Sequence, residues 1–241
     1  MNDELLPEAA TDDGPVLLVV LGTPVKAQPD VMVNLLGLWG GATALAGRRR
    51  PERSWPARLA VGAIAAAIWA TADFGHALAH IASARAAGAP MDEVRISQGM
   101  PRTIYADNDV PPRVHIIRSL GGPIFNTVGL LIGLLMRAFS PAGSVARELA
   151  GDTALAHSLL LGGSLAPLPI VDGGVMLKWG LVEGGRTPEE ADRVVQTAGV
   201  ITGAVALGAG AALATRRRWL AALGLIGAGV AAIAATLNKL H

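Results

Sequence analysis

The chain has 241 residues, 51% of them hydrophobic and 16% charged, with mean hydropathy +0.45 and a formal net charge of +1. Soluble domains carry about 25% charged residues, so this is the composition of an integral membrane protein, and with no basic, aromatic-interleaved patch it offers no footprint for a nucleic-acid partner. There is no cysteine, which excludes disulfides and thiolate metal sites and leaves His, Asp and Glu to hold any metal.

Taken in order, residues 1–28 read as an acidic soluble N-terminal segment that lacks the positive start of a signal peptide. Within it, Pro15 to Gly22 is apolar but too short to span a membrane, and reads as a strand or an interfacial segment. Residues 29–58 hold a first helix, Val31 to Ala46, and a turn rich in arginine (Arg48, Arg49, Arg50, Arg53, Arg58) with Pro51 and Pro56. Leu59 to Ala82 is the first run of full spanning length. A polar interval follows, in which Glu93 to Ser97 alternates as a half-buried strand does and Thr103 to Tyr105 forms its hairpin partner. A free edge on that hairpin would let an extended peptide pair with it; the interval reads equally as a surface loop that caps the bundle.

Leu120 to Met136 reads as the next span, with Gly-Pro at its start and the Asn126 amide inside the bundle. Thr153 to Val171 follows and is broken by Pro167 and Pro169 ahead of Asp172, Gly173 and Gly174. Freed backbone at membrane depth is tolerated where protein buries it or water reaches it. Residues 178–192 are polar. Thr187-Pro188-Glu189-Glu190 is a helix start with a capping box. Residues 181–241 then supply two Gly/Ala-rich helices, Ala191 to Thr215 and Trp219 to Leu237, with Gly199 and Gly203 as a small-residue packing face. The predicted fold class is an all-α polytopic membrane protein of about five to six transmembrane helices, with a small β-hairpin between the second and third. A multi-pass cell-membrane location follows, with lipid as surroundings. Lys and Arg divide ten to ten between the two sides, so the positive-inside rule gives no orientation.

The chemistry is concentrated near the end of the first long span. His76 and His80 are four apart, which on a helix stacks them on one face about 6 Å apart and lets both imidazoles reach one cation. This is the spacing of the His-Glu-x-x-His zinc helix, in which the glutamate takes a proton from the water that the metal activates. Here Ala77 stands at the glutamate position, and it can accept no proton. Asp73 lies one turn earlier on the same face, as an orienting partner for His76 or a weak candidate for the missing base. Asp172, between a proline break and two glycines, is the candidate third ligand, although Asp-Gly-Gly is also an ordinary turn.

His76 to His80, then Gly122-Pro123-Ile124-Phe125-Asn126, then Pro167 to Gly173, resemble in order and spacing the motifs of the site-2 protease family, membrane-embedded zinc metalloproteases that cut transmembrane substrates. The resemblance covers residues 59–180. It implies Zn2+ held by His76, His80 and Asp172, with Asn126, Ser164, Pro167 and Gly173 in supporting positions. Three positions depart from the family pattern: Ala77 for glutamate, Ser164 for asparagine and Val171 for leucine. Loss of a general base removes about 10² to 10⁴ in rate. The first expectation is therefore a pseudoprotease that binds membrane segments, a transmembrane peptide or a partner protein. The alternatives are an active intramembrane zinc endopeptidase, or an inactivated Glu-to-Ala form of one, and a non-enzymatic subunit of a membrane complex whose histidines bind a pigment or nothing.

Overall fold

The computed structural model describes residues 14–97 and 101–237. The acidic stretch at residues 1–13, and Lys239 of the charge count, lie outside the described residues. Eleven elements follow in order: β1 (Val16–Val20), β2 (Thr23–Ala27), α1 (Val31–Arg49), α2 (Trp55–Ala86), β3 (Glu93–Ile96), β4 (Arg102–Ile104), α3 (Pro112–Phe139), α4 (Val145–Ser164), α5 (Asp172–Glu183), α6 (Pro188–Thr215) and α7 (Trp219–Leu237). The chain forms two compact units. One takes the residues up to Asp109 with Gly121–Leu161, and the other takes Val110–Leu120 with the residues from Gly162 on.

In the first unit the expected hairpin is present, β3 antiparallel to β4 with Val94 opposite Thr103, and it belongs to a larger sheet of order β1-β2-β3-β4. The segment from Pro15 to Gly22 resolves as strand β1, joined to β2 by a two-residue turn in which Leu21 (φ 48°) and Gly22 (φ 84°) are both left-handed. Positive φ at both central residues matches the right-handed twist of a two-residue hairpin. The Arg85 guanidinium at the end of α2 donates to the Leu21 carbonyl and fixes this turn against the helix. β2 then runs parallel to β3, pairing Val25 with Val94 and Ala27 with Ile96. Beneath the sheet, Val25, Ala77, Ile81, Ala84, Met91 and Val94 form the apolar core. Glu93 is bonded to Lys26 (2.9 Å) and to Arg95 at one edge of that core. Burial pushes its carboxyl up, but the two cations together outweigh burial and hold it below the usual glutamate range.

The arginine-rich turn between α1 and α2 is tied to the start of α4. Arg53 grips Glu148 with both nitrogens (3.2 and 2.7 Å), and Arg49 meets Asp152 at 2.8 Å. In the second unit, α6 opens with the expected capping box, the Glu190 N–H donating to Thr187 Oγ1 and the Thr187 N–H to Glu190 Oε2, each at 3.2 Å. Gly199 and Gly203 lie against Thr236 and Ile233 of α7, so the small-residue face is the α6–α7 contact.

Among the described helices, α2, α3, α6 and α7 are long and apolar enough to cross a membrane. α1 and α4 are long enough at 19 and 20 residues. Their polar content sets them apart from the four, Asn34 and Arg48 in α1 and Arg147, Glu148 and Asp152 in α4. Several boundaries move relative to the sequence reading. α3 starts at Pro112 and carries Pro123 inside it. α4 stops at Ser164, ahead of the prolines. Helix α5 begins at Asp172 and takes in the first part of the polar stretch 178–192, whose last part opens α6.

Candidate metal centre

Helix α2 brings the histidines together by its own geometry. His76 Nε2 and His80 Nε2 are 3.2 Å apart, with ring centroids at 4.8 Å and planes at 78°. Zinc binds imidazole nitrogen at about 2.0–2.1 Å in a tetrahedron, which sets two nitrogen ligands roughly 3.3 Å apart. The pair therefore presents its nitrogens at the separation a shared zinc ion requires. His80 is buried, and an ionisable group on an apolar helix of spanning length is costly to keep there.

Helix α3 closes on this pair at Gly121 and Gly122, inside the helix, where no side chain stands in the way. A Cβ at Gly122 would collide with the His76 imidazole, and one at Gly121 with the Ala79 carbonyl. Pro123 has no N–H for the Ser119 carbonyl, while Thr127 Oγ1 donates to the Pro123 carbonyl at 2.8 Å. One turn further on, Asn126 is wholly buried. Its Nδ2 donates to His76 Nδ1 at 2.8 Å, and its Oδ1 accepts from His157 Nδ1 at 2.9 Å.

His157 of α4 was invisible to motif reading. It is 7% exposed, its ring tilts over Phe125 at 5.6 Å, and it fills the gap left by Gly129, where a Cβ would strike it. The available signal was positional: His157, Leu161 and Ser164 share one helical face of an apolar run, and that face leads into the Pro167 break.

The Ala77 methyl is 3% exposed and packs in the apolar core under the sheet with Val25, Ile81 and Val94. Asp73 lies one turn before His76 on α2 and is half-buried; the partner at His76 Nδ1 is Asn126.

The remaining predicted residues lie in the second unit. Ser164 ends α4, and the segment holding Pro167 turns on short local bonds such as Leu168 N–H to the Ala166 carbonyl at 2.8 Å. Asp172 is the first residue of α5, where the positive end of the helix favours a carboxylate. Gly173 packs so closely on the Leu165 carbonyl that a Cβ would not fit.

No protein-family model and no curated protein sequence matches the chain. Among solved structures it is similar to the site-2 protease from Methanocaldococcus jannaschii, with a TM-score of 0.52 at 13% identity, covering 91% of this chain and 94% of that one. At that identity the likeness is one of fold, and it joins the same fold to the motifs that the sequence carries.

Proposed function

We propose that this chain, built on the site-2-protease fold, is a zinc-binding relative of the intramembrane proteases whose cutting step is disabled at position 77. In this reading it sits in the cell membrane and binds transmembrane segments or regulates a partner protein. The observation that carries the reading is Ala77: next to a histidine pair spaced for zinc, the position of the general base holds a methyl group packed among aliphatic side chains.

As the family resemblance implies, His76 and His80 would supply two zinc ligands and Asp172 the third, a nitrogen-and-oxygen set of the kind that suits zinc. Zinc, when bound, supplies Lewis acidity toward water or a substrate carbonyl. The chain's own residues do the rest. Asn126 is bonded to His76 at Nδ1 and fixes the position of that ring, with Nε2 toward His80. The sheet-covered side of α2 excludes water from position 77. No side chain at that position can take up a proton, so the chain keeps recognition of a membrane segment while losing turnover.

The test is cleavage of a transmembrane reporter by the protein reconstituted in vesicles. The unaltered chain should cut no faster than the His76→Ala/His80→Ala variant. Ala77→Glu should raise cleavage by about 10² to 10⁴, while Ala77→Gln, equal in size but no base, should leave it unchanged. Chelator-sensitive cleavage by the unaltered chain, abolished by His80→Ala, would contradict the proposal.

A further inference from the structure

The chain of groups His80–His76–Asn126–His157 has two self-consistent settings, because a carboxamide can present either face. In the setting of this structure, Asn126 Nδ2 donates to His76 Nδ1 and His157 Nδ1–H donates to Asn126 Oδ1. A neutral His76 then carries its proton on Nε2, the atom that points at His80. In the flipped setting Asn126 Oδ1 accepts from His76 Nδ1–H and Nδ2 donates to a bare His157 Nδ1. Only the flipped setting leaves the His76 Nε2 lone pair available to a cation.

We propose that His157 is a positioning residue for the metal site, one that sets which face of the Asn126 amide meets His76 and so which nitrogen of His76 becomes the ligand. The inference rests on the zinc reading above. Its geometric support is independent of any ion. The His157 ring is held in place by the gap at Gly129 and by Phe125, so its Nδ1 has a fixed aim at the amide. A wholly buried amide cannot turn to water for a substitute partner. With the proton of His157 on Nε2, the Asn126 Nδ2 is drawn toward His157 and the carbonyl toward His76; with the proton on Nδ1 the amide is driven the other way. Outer partners that orient a ligating histidine in this manner are worth about 10- to 100-fold in metal affinity.

The experiment is a zinc-competition titration of the full chain in detergent, with nitrogen-15 imidazole spectra of the same samples. Loading zinc into the unaltered protein should move the His157 proton from Nδ1 to Nε2 and place a proton on His76 Nδ1. His157→Leu should weaken zinc binding by about 10- to 100-fold, and His157→Gln, whose amide oxygen can accept from Asn126, should recover most of that loss. Equal affinity in the His157→Leu and unaltered proteins, equal loss in the Leu and Gln variants, or a His157 that keeps its Nδ1 proton in the zinc-loaded unaltered protein would each overturn this inference alone. Zinc bound by none of the forms would overturn the zinc reading and this inference with it.

Discussion

Any side chain larger than hydrogen at Gly122 must enter the space that the His76 imidazole fills. Gly122→Val should therefore rotate His76 away from Asn126 and lower zinc affinity by at least about 10-fold, the usual cost of losing an orienting contact. The same substitution at Gly162, whose Cβ would meet nothing within 4 Å, is the control and should leave zinc binding as it was. At this scale the sequence was legible where chemistry has a spacing. His76 and His80 declared themselves by four-residue separation, and Asn126 by standing inside an apolar run. His157 did not, because a single histidine has no spacing, and what gives it meaning is a partner 31 residues away on another helix.

Among the elements, the start of α6 was readable to the residue because a capping box is a local pattern whose donors and acceptors sit three apart. Thr187→Ala removes the side-chain acceptor of the Glu190 N–H and should cost about 1 kcal/mol in unfolding measured in detergent. Helix α5 was missed for the opposite reason. Its first turn holds Gly173 and Gly174, poor helix formers, and its start is decided by packing of Gly173 on the Leu165 carbonyl rather than by propensity. The sheet was half-read: β3 and β4 alternate, whereas β2 is recognisable only once it pairs with β3, across a separation that no local pattern spans. The turn between α1 and α2 depends on another distant contact. Glu148→Ala would leave the Arg53 guanidinium, 7% exposed at its side chain, without its carboxylate, and should destabilise the protein by on the order of 3 kcal/mol.

For the molecule as a whole, Glu93 and Glu148 contribute to how stability responds to acid. Glu148, in the first turn of α4, is held below the ordinary glutamate range first by its hydrogen bonds from Arg53, against burial, and then by the charges of Arg53, Arg49 and Arg50. Glu93 is likewise depressed, its two cations outweighing burial. A depressed folded value means that the unfolded chain binds the proton first. The stabilisation is present in full above the unfolded value of about 4.3 and is lost as pH falls through the lower folded values. Melting temperature in detergent should therefore drop as pH is lowered below about 5, and a Glu93→Gln/Glu148→Gln variant should start lower and lose most of that slope. Function has a different legibility from fold. The motifs spread over residues 59–180 pointed to the site-2 protease architecture, and the structural likeness over 91% of the chain has that architecture. In the function proposed above, what the chain does with it turns on Ala77, whose methyl packs in the core between α2 and the sheet. The central claim is that His76 and His80 hold zinc, and the most direct measurement is the metal content of the purified, detergent-solubilised protein beside its His76→Ala/His80→Ala variant. The account predicts about one zinc per chain, lost in the variant; a folded, unaltered protein that carries no zinc and takes none up when it is supplied would contradict it.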